Sequence, residues 1–237
     1  MGIAYPVSNF LLRGALRTLA DWDVVGRENV PPRGPLIVVA NHQSNSDPPL
    51  LGATFKRRLY FLAKDGLFRG PIATWFFRSY GAFPMRRSGL DVEAMRWAMN
   101  LLSKDKALVI FPEGTRSLHK MKKGLPGVAL LAVKSQAPLL PVGITGTERL
   151  GSLLRVAWPT GHLKVNIGQP FSLPVIEGKL ERAQLNALTD MIMRRVAMQL
   201  PESYRGVYGS VGEDVGSAAP RESNESKAAS PATLADD

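Results

Sequence analysis

Three stretches of strand length contain no polar residue at all: Pro35–Ala40 (PLIVVA), Ala107–Phe111 (ALVIF) and Leu139–Ile144 (LLPVGI). A strand with one face in water alternates apolar and polar residues. An unbroken apolar run of this length belongs to a strand covered on both faces, as in a parallel sheet packed between helices. The intervening sequence agrees. Asp91–Ser103, begun near Ser88, and Gly127–Ser135 read as helices. So does Leu180–Leu200, where Leu185, Leu188, Ile192 and Val196 share one face. Shorter strands are expected at Trp22–Gly26, Leu59–Ala63 and Leu163–Ile167. Strands alternating with helices predict an α/β domain over residues 21–208, with a mostly parallel central sheet flanked by helices.

The two ends read differently. In residues 1–20, Val7, Leu11, Leu12, Ala15, Leu16 and Leu19 fall on one half of a helical wheel, and Arg13 and Arg17 on the other. Such an amphipathic helix packs on its own core or lies in a lipid interface. Residues 209–237 lack aromatics and are rich in Ser, Ala, Gly, Glu and Asp. They are expected to form a disordered acidic tail. The chain carries a net charge of +10; the tail, with six acids and two bases, holds −4 of it, so residues 1–208 carry +14. A body so basic attracts polyanions, whether nucleic acid, anionic headgroups or a phosphorylated substrate. No apolar run reaches the roughly 18–20 residues that cross a bilayer. The start lacks the apolar core and small-residue cleavage site of a secretory signal. The expected location is therefore the cytoplasmic face of a membrane, without a span.

With no cysteine in 237 residues, cysteine nucleophiles and cysteine-ligated metals are excluded. The three histidines, His42, His119 and His162, make a zinc site improbable, and no metal or organic cofactor is expected. One histidine stands out. Asn41-His42-Gln43-Ser44-Asn45-Ser46-Asp47 follows the first buried strand, where α/β sheets place their ligands. The loop is long enough to bring the Asp47 carboxylate onto one imidazole nitrogen, making His42 a general base with a fixed tautomer. Asp47 before Pro48-Pro49 reads equally well as a helix N-cap. Phe111-Pro112-Glu113-Gly114-Thr115-Arg116-Ser117 follows another buried strand. It offers a permissive glycine, hydroxyls and a guanidinium fork suited to phosphate. Gly81–Arg87 ends in the adjacent arginines Arg86 and Arg87.

In this order, NHxxxxD, GxxxxxR, FPEGTRS and the proline-bounded strand Ala137–Val142 resemble the four-block signature of the glycerolipid acyltransferase family, best known from 1-acylglycerol-3-phosphate acyltransferases. The blocks run from Asn41 to Val142. By that resemblance His42 is the general base and Asp47 its orienting partner. The acceptor phosphate is bound by Arg87, Glu113, Gly114, Thr115 and Arg116, with Asn41, Arg86, Lys122 and Lys123 as secondary candidates. Glu113 is expected to orient Arg116 or a backbone group, because a carboxylate has no place beside a phosphate. Pro84 and Arg86 depart from the usual second block, so Arg86 competes with Arg87. The implied partners are a lysophospholipid acceptor, an acyl-CoA or acyl-carrier-protein donor and a membrane surface; no nucleic acid is expected. Phe68–Phe83, where aromatics mix with Arg69 and Arg78, suits a headgroup zone or a core helix with two exposed arginines. Two other readings stay open: a thioesterase or lipid hydrolase using the same base on water, and a non-enzymatic basic binding module.

Overall fold

The computed structural model describes residues 3–86, 91–151, 155, 158–176, 178 and 180–209. The expected tail from residue 210 and the helix start near Ser88 lie outside these. Seven strands, β1 (Ala20–Val25), β2 (Leu36–Ala40), β3 (Leu59–Lys64), β4 (Ala82–Met85), β5 (Ala107–Ile110), β6 (Leu139–Thr145) and β7 (Gly161–Ile167), form one sheet in the order β1-β7-β6-β2-β5-β3-β4. Among the described residues it is accompanied by helices α1 (Ala4–Leu19), α2 (Asp47–Thr54), α3 (Pro71–Tyr80), α4 (Val92–Leu102), α5 (Gly127–Ser135) and α6 (Arg182–Ala197).

Strand β2 lies at the centre, paired in parallel with β5 on one side and β6 on the other. All five of its residues are buried. Leu36, Val38 and Ala40 face a core shared with α1, α2 and α3; Ile37 and Val39 face a second core against α4, α5 and α6. This double burial is why the run is continuous rather than alternating. The sheet is mostly parallel, with one reversal. β7 pairs antiparallel to β6, and β1 pairs parallel to β7, so these two strands run against the other five.

The N-terminal helix does not present the face its wheel suggests. Of the expected apolar half only Leu16 is fully enclosed, while Val7 and Leu11 are 48% and 64% exposed. The inward stripe is Tyr5, Asn9, Arg13 and Leu16, spaced as one helical face requires. Hydrogen bonds explain the rotation. The Tyr5 hydroxyl accepts Leu59 N–H (3.0 Å), and Asn9 accepts the Tyr80 hydroxyl (3.0 Å). Arg13 donates to the Ala53 and Phe55 carbonyls (2.7 and 2.8 Å), which the end of α2 leaves without helical partners. Three polar side chains thus satisfy buried backbone and phenol groups, and Val7, Phe10 and Leu11 turn outward. Helix α3 is likewise divided: Tyr80 is buried and Phe77 packs on the core, whereas Ile72 and Trp75 are 81% and 60% exposed.

Two glycines test this packing with opposite signs. A Cβ on Gly143 of β6 would overlap the Gln199 backbone carbonyl, which follows α6, whereas one on Gly14 of α1 meets nothing within 4 Å. Gly143→Ala is expected to lower unfolding free energy by about 1–3 kcal/mol. Gly14→Ala is expected to raise it by roughly 0.5–1 kcal/mol. Urea unfolding of both variants checks this; a neutral Gly143→Ala would contradict the described contact between β6 and the end of α6.

Candidate active site

Strand β2 delivers His42 to the carboxyl edge of the sheet, one residue past Asn41. Asn41 behaves as an extra rung of the ladder: its amide donates to the Ile144 carbonyl (2.9 Å) and accepts Ile144 N–H (2.8 Å). The chain then turns sharply. Asp47 is the first residue of α2, with Ser46 at the cap position. Its carboxylate points back into the turn rather than capping the helix. One oxygen, Oδ2, accepts from His42 Nδ1 (2.8 Å), Gln43 N–H (2.7 Å) and Ser44 N–H (2.8 Å). The helix start thus serves to aim Asp47, and of the two sequence readings the orienting one describes its contacts. Asp47 is wholly buried and the His42 side chain is 13% exposed. Its ring stacks on Phe111 at 4.3 Å between centroids, which leaves Nε2 without a hydrogen-bond partner among the described residues.

The loop after β5 lies alongside. Ser117 N–H donates to the His42 carbonyl (2.7 Å). Glu113 is buried, and its two oxygens accept from His42 N–H (3.0 Å) and Lys122 N–H (2.8 Å). It therefore joins two loops by their backbones. Grouped with the phosphate ligands by resemblance, it has both oxygens engaged with protein N–H donors, and it makes no ion pair with Arg116 among the described residues. Burial pushes its carboxyl above the usual range. The nearby Ser117 hydroxyl, placed outside hydrogen-bond geometry, and the Lys122 and His42 N–H groups oppose that shift. Gly114 takes a left-handed conformation (φ 66°), and a Cβ there would stand 2.7 Å from Leu125 Cδ1, so the turn needs glycine.

The cationic candidates form the outer part of the site. Thr115, Arg116, Lys122 and Lys123 are exposed, on the loop that follows Glu113. Arg86 is exposed at the end of β4, with its N–H held by Asp91 (2.8 Å). Arg87 lies outside the described residues. Strands β2, β5, β3 and β4 run parallel, so the loops bearing His42, Glu113 and Arg86 leave the same edge of the sheet. The structure thus unites an imidazole, the carboxylate that orients it and a bridging glutamate, with exposed cationic side chains beyond them. Phe111 as the ring's stacking partner and Ser117 as a backbone clamp were not anticipated. Ser117 works through its N–H, which any residue but proline supplies, so no sequence signal could mark it.

Replacing Asn41 by Asp sets an oxygen against the Ile144 carbonyl. We expect Asn41→Asp to destabilise the fold by about 1–3 kcal/mol, the usual consequence of an unmatched buried polar group. A loss below about 0.5 kcal/mol in denaturant titration would mean that this rung is dispensable.

A family model described as "Acyltransferase" matches residues 21–145, which contain β1 but for its first residue, β2 through β6 and every candidate site residue. A Streptococcus pneumoniae protein named 1-acyl-sn-glycerol-3-phosphate acyltransferase is 32% identical over 143 residues, 60% of this chain and 52% of that protein. An Arabidopsis thaliana protein named N-acylphosphatidylethanolamine synthase is 32% identical over 168 residues, covering 61% and 58% of the two chains. The chain spans about half the length of the curated relatives it matches. The crystal structure of the 1-acyl-sn-glycerophosphate acyltransferase of Thermotoga maritima superimposes with a TM-score of 0.63 at 30% identity, over 79% of this chain and 76% of that one.

Proposed function

The chain belongs to the acyltransferase family, and from that footing we propose that it transfers a fatty acyl group from a thioester to the free hydroxyl of 1-acylglycerol 3-phosphate, giving phosphatidic acid. The observation that carries the reading is the His42–Asp47 pair: a ring nitrogen held by a buried carboxylate at 2.8 Å, beside a loop of exposed cationic side chains. Asp47 keeps the proton on Nδ1, so Nε2 accepts the acceptor's hydroxyl proton. The hydroxyl oxygen attacks the thioester carbonyl carbon, and a tetrahedral oxyanion forms. The carbon–sulfur bond breaks, and the imidazolium returns the proton to the departing thiolate. Ester and free thiol result, with no acyl-enzyme, in a chain that has no cysteine to carry one. The donor is acyl-CoA or acyl-carrier protein, and the scheme calls on no metal or organic cofactor. Arg116, Lys122, Lys123 and the Arg86-Arg87 pair supply charge for the phosphate dianion. Thr115 adds a hydroxyl.

The likeness to an N-acylphosphatidylethanolamine synthase favours a second reading, in which the same base serves another lipid acceptor. Either substrate pair partitions into bilayers. No described helix is long and apolar enough to cross one. Instead α1 and α3 turn Phe10, Leu11, Ile72 and Trp75 outward, next to exposed Arg17, Arg69 and Arg78. Such a surface suits the headgroup boundary.

Two measurements test these statements. Thiol release from acyl-CoA, or from acyl-carrier protein, is expected to depend on added lysophosphatidate. It should fall on the order of 10²–10⁴-fold in His42→Ala and in Asp47→Asn, which keeps an oxygen acceptor but removes the charge. Release independent of acceptor identifies a hydrolase; dependence on a different lyso-lipid alone identifies the second reading. For the surface, flotation with anionic vesicles is expected to carry the protein and salt to release part of it. Equal recovery with neutral vesicles would rule out the headgroup contact.

A further inference from the structure

The segment after α6 lies outside the region matched by the family model, yet it is bonded to the cationic loop. Two short 3₁₀ turns, Glu202–Tyr204 and Gly206–Tyr208, lay the chain across Met121. Met121 N–H donates to the Tyr204 carbonyl (2.9 Å), and Val207 N–H donates back to the Met121 carbonyl (3.3 Å). Gly206 has a φ of 54°, and any Cβ there would collide with Met121 backbone, so only glycine admits so close a crossing. Three residues on, Gly124 N–H donates to the buried Tyr208 hydroxyl (3.2 Å), which donates to Asp190 of α6 (3.3 Å). Burial, chiefly, pushes the Tyr208 phenol up, so it stays neutral and can do both. The Tyr204 hydroxyl anchors the strap separately on Glu148 (2.9 Å).

Between the two clamped positions stand Lys122 and Lys123, both exposed, and Lys122 N–H is the group that Glu113 holds. Glu113 in turn holds His42 N–H. Through the Met121–Gly124 backbone and Glu113, hydrogen bonds therefore link the strap to His42. Resting on the function proposed above, we propose that residues 201–208 are a positioning element of the acceptor site, in which Tyr208 sets the Met121–Gly124 loop so that Lys122 and Lys123 meet a phosphate monoester. Tyr208 touches no substrate in this arrangement. It acts through Gly124.

Tyr208→Phe removes a single oxygen from the full chain and tests the idea. The KM for lysophosphatidate is expected to rise roughly 3–10-fold, the effect of about one hydrogen bond, with kcat and the thioester KM within about twofold. Hydrogen exchange at the Lys122–Leu125 amides is expected to quicken at least about tenfold. Glycerol 3-phosphate is expected to slow that exchange in the wild type and less so in the variant. Should Tyr208→Phe fold poorly, Asp190→Asn, which leaves the phenol on Gly124 but weakens its anchor, is expected to give a smaller rise in acceptor KM alone. Unchanged acceptor KM and unchanged exchange would overturn the proposal. So would donor and acceptor KM rising together as stability falls, since that is general loosening. The exchange arm needs no turnover. A wild type without acceptor-dependent thiol release but with glycerol 3-phosphate protection at 122–125 would refute the reaction and keep the strap.

Discussion

A strand with no solvent face must have every backbone group paired, because nothing else can satisfy them. β2 is that strand, enclosed by β5 and β6 at its sides and by helical layers above and below. Its pairing cannot simply stop before His42, two residues past Ala40. Asn41 resolves the conflict by offering Ile144 a donor and an acceptor from its side chain. The main chain is thereby released to turn, and His42 leaves the sheet at a fixed place. Both cores and the reactive imidazole depend on this one enclosed segment.

The turn brings a second constraint. Asp47 and Glu113 are carboxylates almost entirely removed from water, inside a strongly basic body. Among the described residues neither is paired with an arginine or lysine side chain. Asp47 takes two backbone N–H groups beside the imidazole, and Glu113 takes one from each of two loops. Backbone donors satisfy an anion without introducing a mobile countercharge. The consequence is a division of labour: amides hold the acids inside, and the cationic side chains of the loop stand outside, exposed.

Much of this was readable in the sequence where the signal is local. Unbroken apolar runs located β2, β5 and β6, and the spacing of His42 and Asp47 offered the orienting contact, five residues being enough for the turn. Pairing across long separations was not readable. Nothing in β1 or β7 announces that they run against the sheet, since antiparallel and parallel neighbours present similar side chains. The α1 wheel favoured Val7 and Leu11 because hydropathy ignores hydrogen bonds, and Tyr5, Asn9 and Arg13 face inward where those bonds are made. Arg116 could be marked as a phosphate group by type. The work of Ser117 and Met121 is done by peptide groups that every sequence carries.

The bonds that hold His42 also differ in reach. Asp47 is only five residues away, but Glu113 lies 71 positions off and the Asn41–Ile144 rung spans 103. Closing loops so long costs more entropy than closing the local one. A chain in which β6 has not docked thus possesses the histidine and its acid without the scaffold that aims them, so an ordered imidazole is itself a report that β2, β5 and β6 have come together.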